Sequence, residues 1–136
     1  MPKICDNKSV GILVWKGNEL LVIKRKKYNY GFAIPAGHQD GDDPETAARK
    51  ELGEEVGLST QELEEKLWLG LPNPCKREGG SQHDWTIFEA KRWTGEVKTS
   101  EDETKGYFWA DRKKIIALAE RLERFAKAKG ISLSPD

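Results

Sequence analysis

Apolar and polar positions fall into short blocks along the chain, and these blocks set out most of its elements. Ser9 to Trp15 (Ser-Val-Gly-Ile-Leu-Val-Trp) is apolar and rich in β-branched residues, which predicts a strand. Lys16-Gly17-Asn18-Glu19 reads as a tight turn, and Leu20 to Arg25 as its partner strand. The basic, aromatic stretch from Lys26 to Gly31 reads as a loop leading into a short apolar run, Phe32-Ala33-Ile34, that ends at Pro35. A Gly- and Asp-rich turn is expected from Gly37 to Asp43. Asp43 before Pro44 is a helix start, because Asp accepts from free backbone N–H groups and Pro suits the first helical position. That helix should run to about Val56 and stop at Gly57.

Leu67 to Leu71 and Trp85 to Trp93 read as further strands, separated by the Pro72-Asn73-Pro74 break and a polar Gly79-Gly80 loop. Tyr107 to Ala110 is a short strand, and Ile115, Leu118, Leu122 and Phe125 recur at helical spacing in an amphipathic C-terminal segment. Strands and helices are interspersed. An α/β (α+β) mixed sheet covered by helices follows, organised as one domain over residues 1–136.

The chemistry concentrates in Lys50-Glu51-Leu52-Gly53-Glu54-Glu55-Val56-Gly57-Leu58. At roughly 100° per residue, Glu51, Glu54 and Glu55 share one side of the helix, and Ala48, Leu52 and Val56 form the adjacent stripe that can pack on a sheet. Like charges at these spacings repel, and near a helix C-terminus the dipole disfavours them further. Helix stability alone gives no reason for this arrangement. Three oxygen donors on a rigid element do suit a hard cation, Mg²⁺ or Mn²⁺. The plain alternative for such a triplet is a solvated helix face.

Composition narrows the field. Acidic and basic residues balance at 23 each, so no net charge draws the protein to nucleic acid or membrane. Five Trp, four Phe and three Tyr argue for a packed core. Cys5 and Cys75 make neither a disulfide framework nor a zinc pattern, the N-terminus has no apolar signal region, and no stretch approaches a membrane span. A soluble cytoplasmic protein is the resulting expectation. Neither His38 nor His83 has a partner at zinc-ligand spacing, and Asp40-Gly41-Asp42-Asp43 lacks the ligand spacing of a calcium loop. His83 falls in a polar loop in this reading.

Gly37 to Leu58 resembles the Nudix box, whose core reads Arg-Glu-U-x-Glu-Glu-x-Gly-U with U aliphatic. Glu51-Leu52, Glu54-Glu55 and Gly57-Leu58 match it. Lys50 stands in place of the Arg, and the turn is one residue short, which puts Asp42 (or Asp43) where the motif has its first Glu. Gly31 to Gly37 resembles the strand that enters the box in this family. Lys24-Arg25 stands where the family often places a phosphate-contacting base. Glu101-Asp102-Glu103, followed by Tyr107 to Ala110 and a helix, resembles its late acidic loop, strand and helix.

The resemblance implies a Nudix-type mixed β-sheet sandwiched between helices and a metal-dependent hydrolase that splits a phosphoanhydride. By analogy Glu51 and Glu54 are catalytic. Glu51, Glu54, Glu55 and Glu103 hold the metal, with Glu101 an alternative to Glu103. Arg25, Tyr28, Gly37 and His38 contact substrate, and Lys50 pairs with a neighbouring carboxylate. Tyr28 and Tyr30 sit in a basic loop beside this site and favour a nucleotide-like small molecule, while the tryptophans, Trp68, Trp85 and Trp93 among them, are expected mostly in the core. A nucleoside triphosphate is the first choice of substrate and a nucleotide sugar or dinucleoside polyphosphate the second. The rival readings are a nucleotide-binding module that has lost catalysis and an RNA 5′-end processor. The zero net charge weighs against the latter. Oligomeric state is not legible.

Overall fold

The computed structural model describes residues 7–25, 31–71, 83–99 and 104–129. Tyr28, Tyr30, Glu101, Glu103, Cys5 and Cys75 lie outside them, so the roles expected of those residues stay expectations. Among the described residues there are seven strands and two helices. They are β1 (Lys8–Lys16), β2 (Glu19–Arg25), β3 (Gly31–Ala33), β4 (Ala36–His38), α1 (Pro44–Val56), β5 (Glu64–Leu71), β6 (His83–Ala90), β7 (Thr104–Ala110) and α2 (Arg112–Lys129).

β1 and β2 form a hairpin that turns at Gly17, whose φ of 64° favours a residue without Cβ. β7 takes the far edge of β2, and β3 its near edge beyond β1. On the other side, β1 pairs in parallel with β6, and β6 antiparallel with β5. The sheet is therefore mixed, in the order β3-β2-β1-β6-β5. The edge that β1 shares with β2 at Trp15 and Lys16 is taken lower down by β4, through Ser9, Val10 and Gly11. Pro35 lies at this change of partner, where its carbonyl accepts from Ile12 N–H at 2.9 Å.

Strand alternation divides the sheet into two faces. Val10, Ile12, Val14, Leu21, Ile23, Phe88 and Ala90 point to one face and meet Ala48, Leu52 and Val56 of α1 in a single buried cluster. Phe108 and its β2 partner Val22 point to the other, where Lys114 of α2 reaches over the Phe108 ring at 4.5 Å. The two helices thus cover opposite faces, as the sandwich expectation requires. The Trp93 and Trp109 rings stack at 5.7 Å at the border of the core.

Two expectations are corrected. Gly37 and His38, expected to open a turn, belong with Ala36 to a strand, because β1 leaves an edge open for it. His83, expected in a loop, begins β6 and pairs with Leu71. Strand limits also widen where polar residues find ladder partners: Glu64 pairs with Glu89, so β5 begins before its first apolar residue.

Candidate active site

The start of α1 is made by local chemistry. Asp43 caps it, accepting from Thr46 N–H at 3.2 Å and from the Thr46 hydroxyl at 2.6 Å, with Pro44 in the first turn. These bonds from Thr46 hold the Asp43 carboxyl below its ordinary pKa. A group depressed in this way stabilises the fold above its unfolded pKa, and that contribution fades as pH falls through the folded value. Asp43→Ala should therefore lower Tm by a few degrees at neutral pH and by less in acid, as measured by circular dichroism melts. The helix ends at Gly57, left-handed at φ 71°, whose N–H returns to the Gly53 carbonyl while Leu58 N–H returns to that of Leu52.

Between these ends, the three glutamates do not form one solvated edge. Glu55 is 4% exposed, and its Oε2 accepts from Ala36 N–H in β4 at 3.2 Å. Glu51 is half-buried, and its carboxylate rests on the backbone of Gly37: a Cβ added there would fall on the carboxylate atoms. Glu54 is exposed on the outer flank. One buried, one half-buried and one open carboxylate thus run from strand to solvent, and the first two are placed by β4. Among the described residues no three His, Cys, Asp or Glu side chains already converge on one point.

The two departures from the box are partners. Lys50 Nζ lies 2.8 Å from Asp42 Oδ2, spanning the shortened turn. The hydrogen bond to Asp42 raises the Lys50 pKa. Each residue supplies the charge of the residue it replaces, and a shorter carboxylate meets a flexible ammonium. This places Lys50 with a neighbouring carboxylate. On the opposite flank of α1, Arg49 donates to the Thr60 carbonyl and pairs with Glu45 at 2.8 Å, tying the helix to the segment before β5.

The expected substrate contacts separate. Arg25 ends β2 opposite Gly31, on the face of Ile23 that α1 covers, beside the irregularity where β7 enters at Thr104. Gly37 lies under Glu51. His38 follows Gly37 in β4, so alternation turns it to the opposite face, alongside its partner Ser9. A shallow cavity of about 490 Å³, lined by Trp15, Gly17, Glu89 and Lys91, opens at the far end of β1 from these groups. There Glu89 Oε2 accepts from Trp15 Nε1 at 3.1 Å, and Lys91 lies 3.3 Å from its other oxygen. This is an anchorage of β1 to β6, remote from the carboxylates.

With the helix, its carboxylates and the strand beneath them in place, relatives can be compared over the same parts. The family profile of the NUDIX domain matches residues 6–130. The RNA pyrophosphohydrolase of Rhodospirillum rubrum is 30% identical over 132 residues, covering 85% of this chain and 78% of that protein. This chain belongs to the Nudix hydrolase family. It is accordingly an enzyme of that class, whose members generally use a divalent metal. Solved Nudix structures share the fold: the MutT NUDIX hydrolase from Burkholderia pseudomallei superimposes with a TM-score of 0.66 at 21% identity, covering 83% of this chain and 95% of that one. The E. coli dihydroneopterin triphosphate pyrophosphohydrolase gives 0.69 at 17% identity, covering 85% and 88%.

Sequence reasoning missed three features of this Nudix site: the pairing of β4 with β1, the seat of Glu51 on Gly37, and the identity of Asp42 as the carboxylate that Lys50 meets. Only the last left a signal, since two opposite charges both depart from the box.

Proposed function

We propose that this Nudix hydrolase cleaves a phosphoanhydride bond in a nucleoside triphosphate, with a divalent cation held by Glu51, Glu54 and Glu55. The observation that carries the reading is the placement of Glu51 and Glu55 against β4, with Glu54 beside them on α1. The donor set fits Mg²⁺ or Mn²⁺, because every candidate ligand is a carboxylate oxygen. The Gly37 backbone also gives Glu51 a seat that any larger residue would fill. Glu103 remains a further candidate ligand on the strength of the resemblance.

The cation, when bound, neutralises phosphate charge and lowers the pKa of water. The chain's own residues do the rest. Glu55, held by Ala36 N–H, keeps α1 at a fixed height over β4. Glu51 or Glu54 takes the proton as water adds to phosphorus, the P–O bond to the bridging oxygen breaks, and two phosphate-bearing products leave. Arg25, at the end of β2, is the proposed contact for phosphate oxygens.

A second reading has support of its own: the Rhodospirillum rubrum relative carries the name RNA pyrophosphohydrolase, so the triphosphate could be that of an RNA 5′ end. The chemistry at the carboxylates would be the same.

The deciding experiment is turnover of nucleoside triphosphates, nucleotide sugars, dinucleoside polyphosphates and a 5′-triphosphorylated oligonucleotide, with Mg²⁺ or Mn²⁺ and with chelator, products being identified by mass. Metal-dependent release of pyrophosphate or phosphate from free triphosphates supports the first reading. Turnover of the oligonucleotide alone supports the second, and no turnover of any substrate by folded protein sinks both.

A further inference from the structure

Gln39 is a buried amide, 7% exposed, immediately after β4. Burying an amide is unfavourable unless its polar atoms are bonded, and the bonds of Gln39 close one short turn. Its N–H donates to the Lys8 carbonyl at 3.0 Å, which carries the pairing of β4 with β1 one residue further. Its carbonyl accepts from Asp42 N–H at 3.0 Å, and its side-chain Nε2 donates to the Asp42 carbonyl at 3.1 Å. Between the two, Asp40 and Gly41 take φ of 49° and 89°, the left-handed pair that a two-residue turn of this kind requires. Gln39 thus holds both backbone polar groups of Asp42.

The carboxylate of Asp42 is taken from the other side by Lys50 of α1, 2.8 Å away. An ion pair this exposed contributes little to stability. Its position matters more. Asp43, the next residue, already caps α1, so the turn has no slack between strand and helix. β4 and α1 are therefore pinned twice, once at Ala36 by Glu55 and once through Gln39, Asp42 and Lys50. Gly37 lies between the two pins along the strand. Glu51, whose carboxylate it seats, lies between them along the helix.

We propose that Gln39 is a positioning residue for hydrolysis: by holding Asp42 for Lys50, it keeps α1 over β4 with Glu51 seated on Gly37. This rests on the carboxylate reading above and adds the device that sets its geometry. In this role Gln39 itself meets neither phosphate nor cation.

The test compares wild type with Gln39→Met, Lys50→Met and Lys50→Arg. Met matches the length of Gln and suits a buried site, but it cannot donate to the Asp42 carbonyl. Amide hydrogen exchange in metal-free protein reads the turn. Mg²⁺-dependent turnover of a nucleoside triphosphate, or of whichever substrate in the panel above is cleaved fastest, reads the site. In Gln39→Met, exchange at Asp42 N–H should quicken about tenfold, kcat should fall about tenfold, and KM should stay within about twofold. Lys50→Met should lower kcat to a similar extent, and Lys50→Arg should stay within about threefold of wild type. Unchanged kcat in Gln39→Met overturns the proposal, and so does unchanged exchange at Asp42. Lys50 is exposed, so Lys50→Met folds even if Gln39→Met does not, and unchanged kcat in it is equally fatal. A rise in KM with kcat unchanged overturns the proposal too, in favour of a substrate contact. Exchange quickened equally along the whole of α1, with a matching fall in Tm, would mark a purely structural residue. Wild-type protein inactive on the whole panel sinks the hydrolase reading and the proposal with it, whereas active wild type beside a fully active Gln39→Met sinks the proposal alone.

Discussion

Glu54→Gln is expected to reduce metal-dependent turnover by on the order of a thousandfold while leaving the fold intact. Glu54 is exposed on α1 and supports no core contact, and Gln has nearly the same helix propensity. The substitution removes one of three like charges on the helix, so Tm should hold or rise slightly. What it removes from the site is an anionic oxygen donor, or the base that receives the proton from water, and an amide replaces neither. Turnover at saturating nucleotide, Mn²⁺ affinity by electron paramagnetic resonance, and a thermal melt separate these effects. A folded variant with weakened Mn²⁺ binding and turnover reduced a thousandfold makes Glu54 a ligand. Retained Mn²⁺ affinity with the same loss of rate makes it the base. Activity near that of wild type would remove Glu54 from the site.

Gly37→Ala carries the second large effect, and it should divide activity from stability. The new Cβ would occupy the place of the Glu51 carboxylate. That carboxylate is the far end of a flexible side chain, so it can swing away at little cost to the fold. A strand position also tolerates alanine. Tm should fall by a few degrees at most. The catalytic cost is greater, because an ångström of misplacement in a reacting constellation can lower a rate by about a hundredfold. If Glu51 is the route of the damage, Gly37→Ala combined with Glu51→Gln should be no worse than Glu51→Gln alone. Additive losses in kcat/KM would show that Gly37 acts elsewhere, for instance by direct contact with phosphate.

Both expectations depend on β4, whose pairing with β1, separate from that of β3 with β2, the sequence conceals. Three residues containing a glycine have no periodicity of their own. Ala36 to His38 becomes a strand only because β1, longer than its hairpin pairing with β2, presents an unfilled edge at Ser9 to Gly11. Everything that distinguishes the three glutamates follows from that pairing. Helical spacing treats Glu51 and Glu55 as neighbours of Glu54 on one polar arc. Contact with β4 seats the first, buries the second against Ala36 N–H and leaves the third to solvent.

The tryptophans make the same point. A tryptophan in a strand suits a core as well as a surface, and its burial depends on what covers its face. Trp93 and Trp109 meet each other although sixteen positions separate them in the chain, whereas Trp68 lies on the edge strand and is 65% exposed.

The sequence by itself determined what short-range physics controls. The span of α1 follows from the Asp43 cap, Pro44 and the left-handed Gly57, all interactions within a turn of the helix ends. The β1–β2 hairpin follows from apolar runs on either side of Gly17 and Asn18. The stripe of Ala48, Leu52 and Val56, each no more than 1% exposed, follows from helical periodicity. The Nudix box follows from residue identity along one helix. Tertiary structure decided the properties that depend on residues distant in the chain: the parallel pairing of β1 with β6 and the different exposure of three adjacent glutamates. The reason is physical. A cap or a helical stripe is specified by neighbours a few bonds away, but burial and reach depend on which strand offers its edge, and that choice is made by the whole sheet.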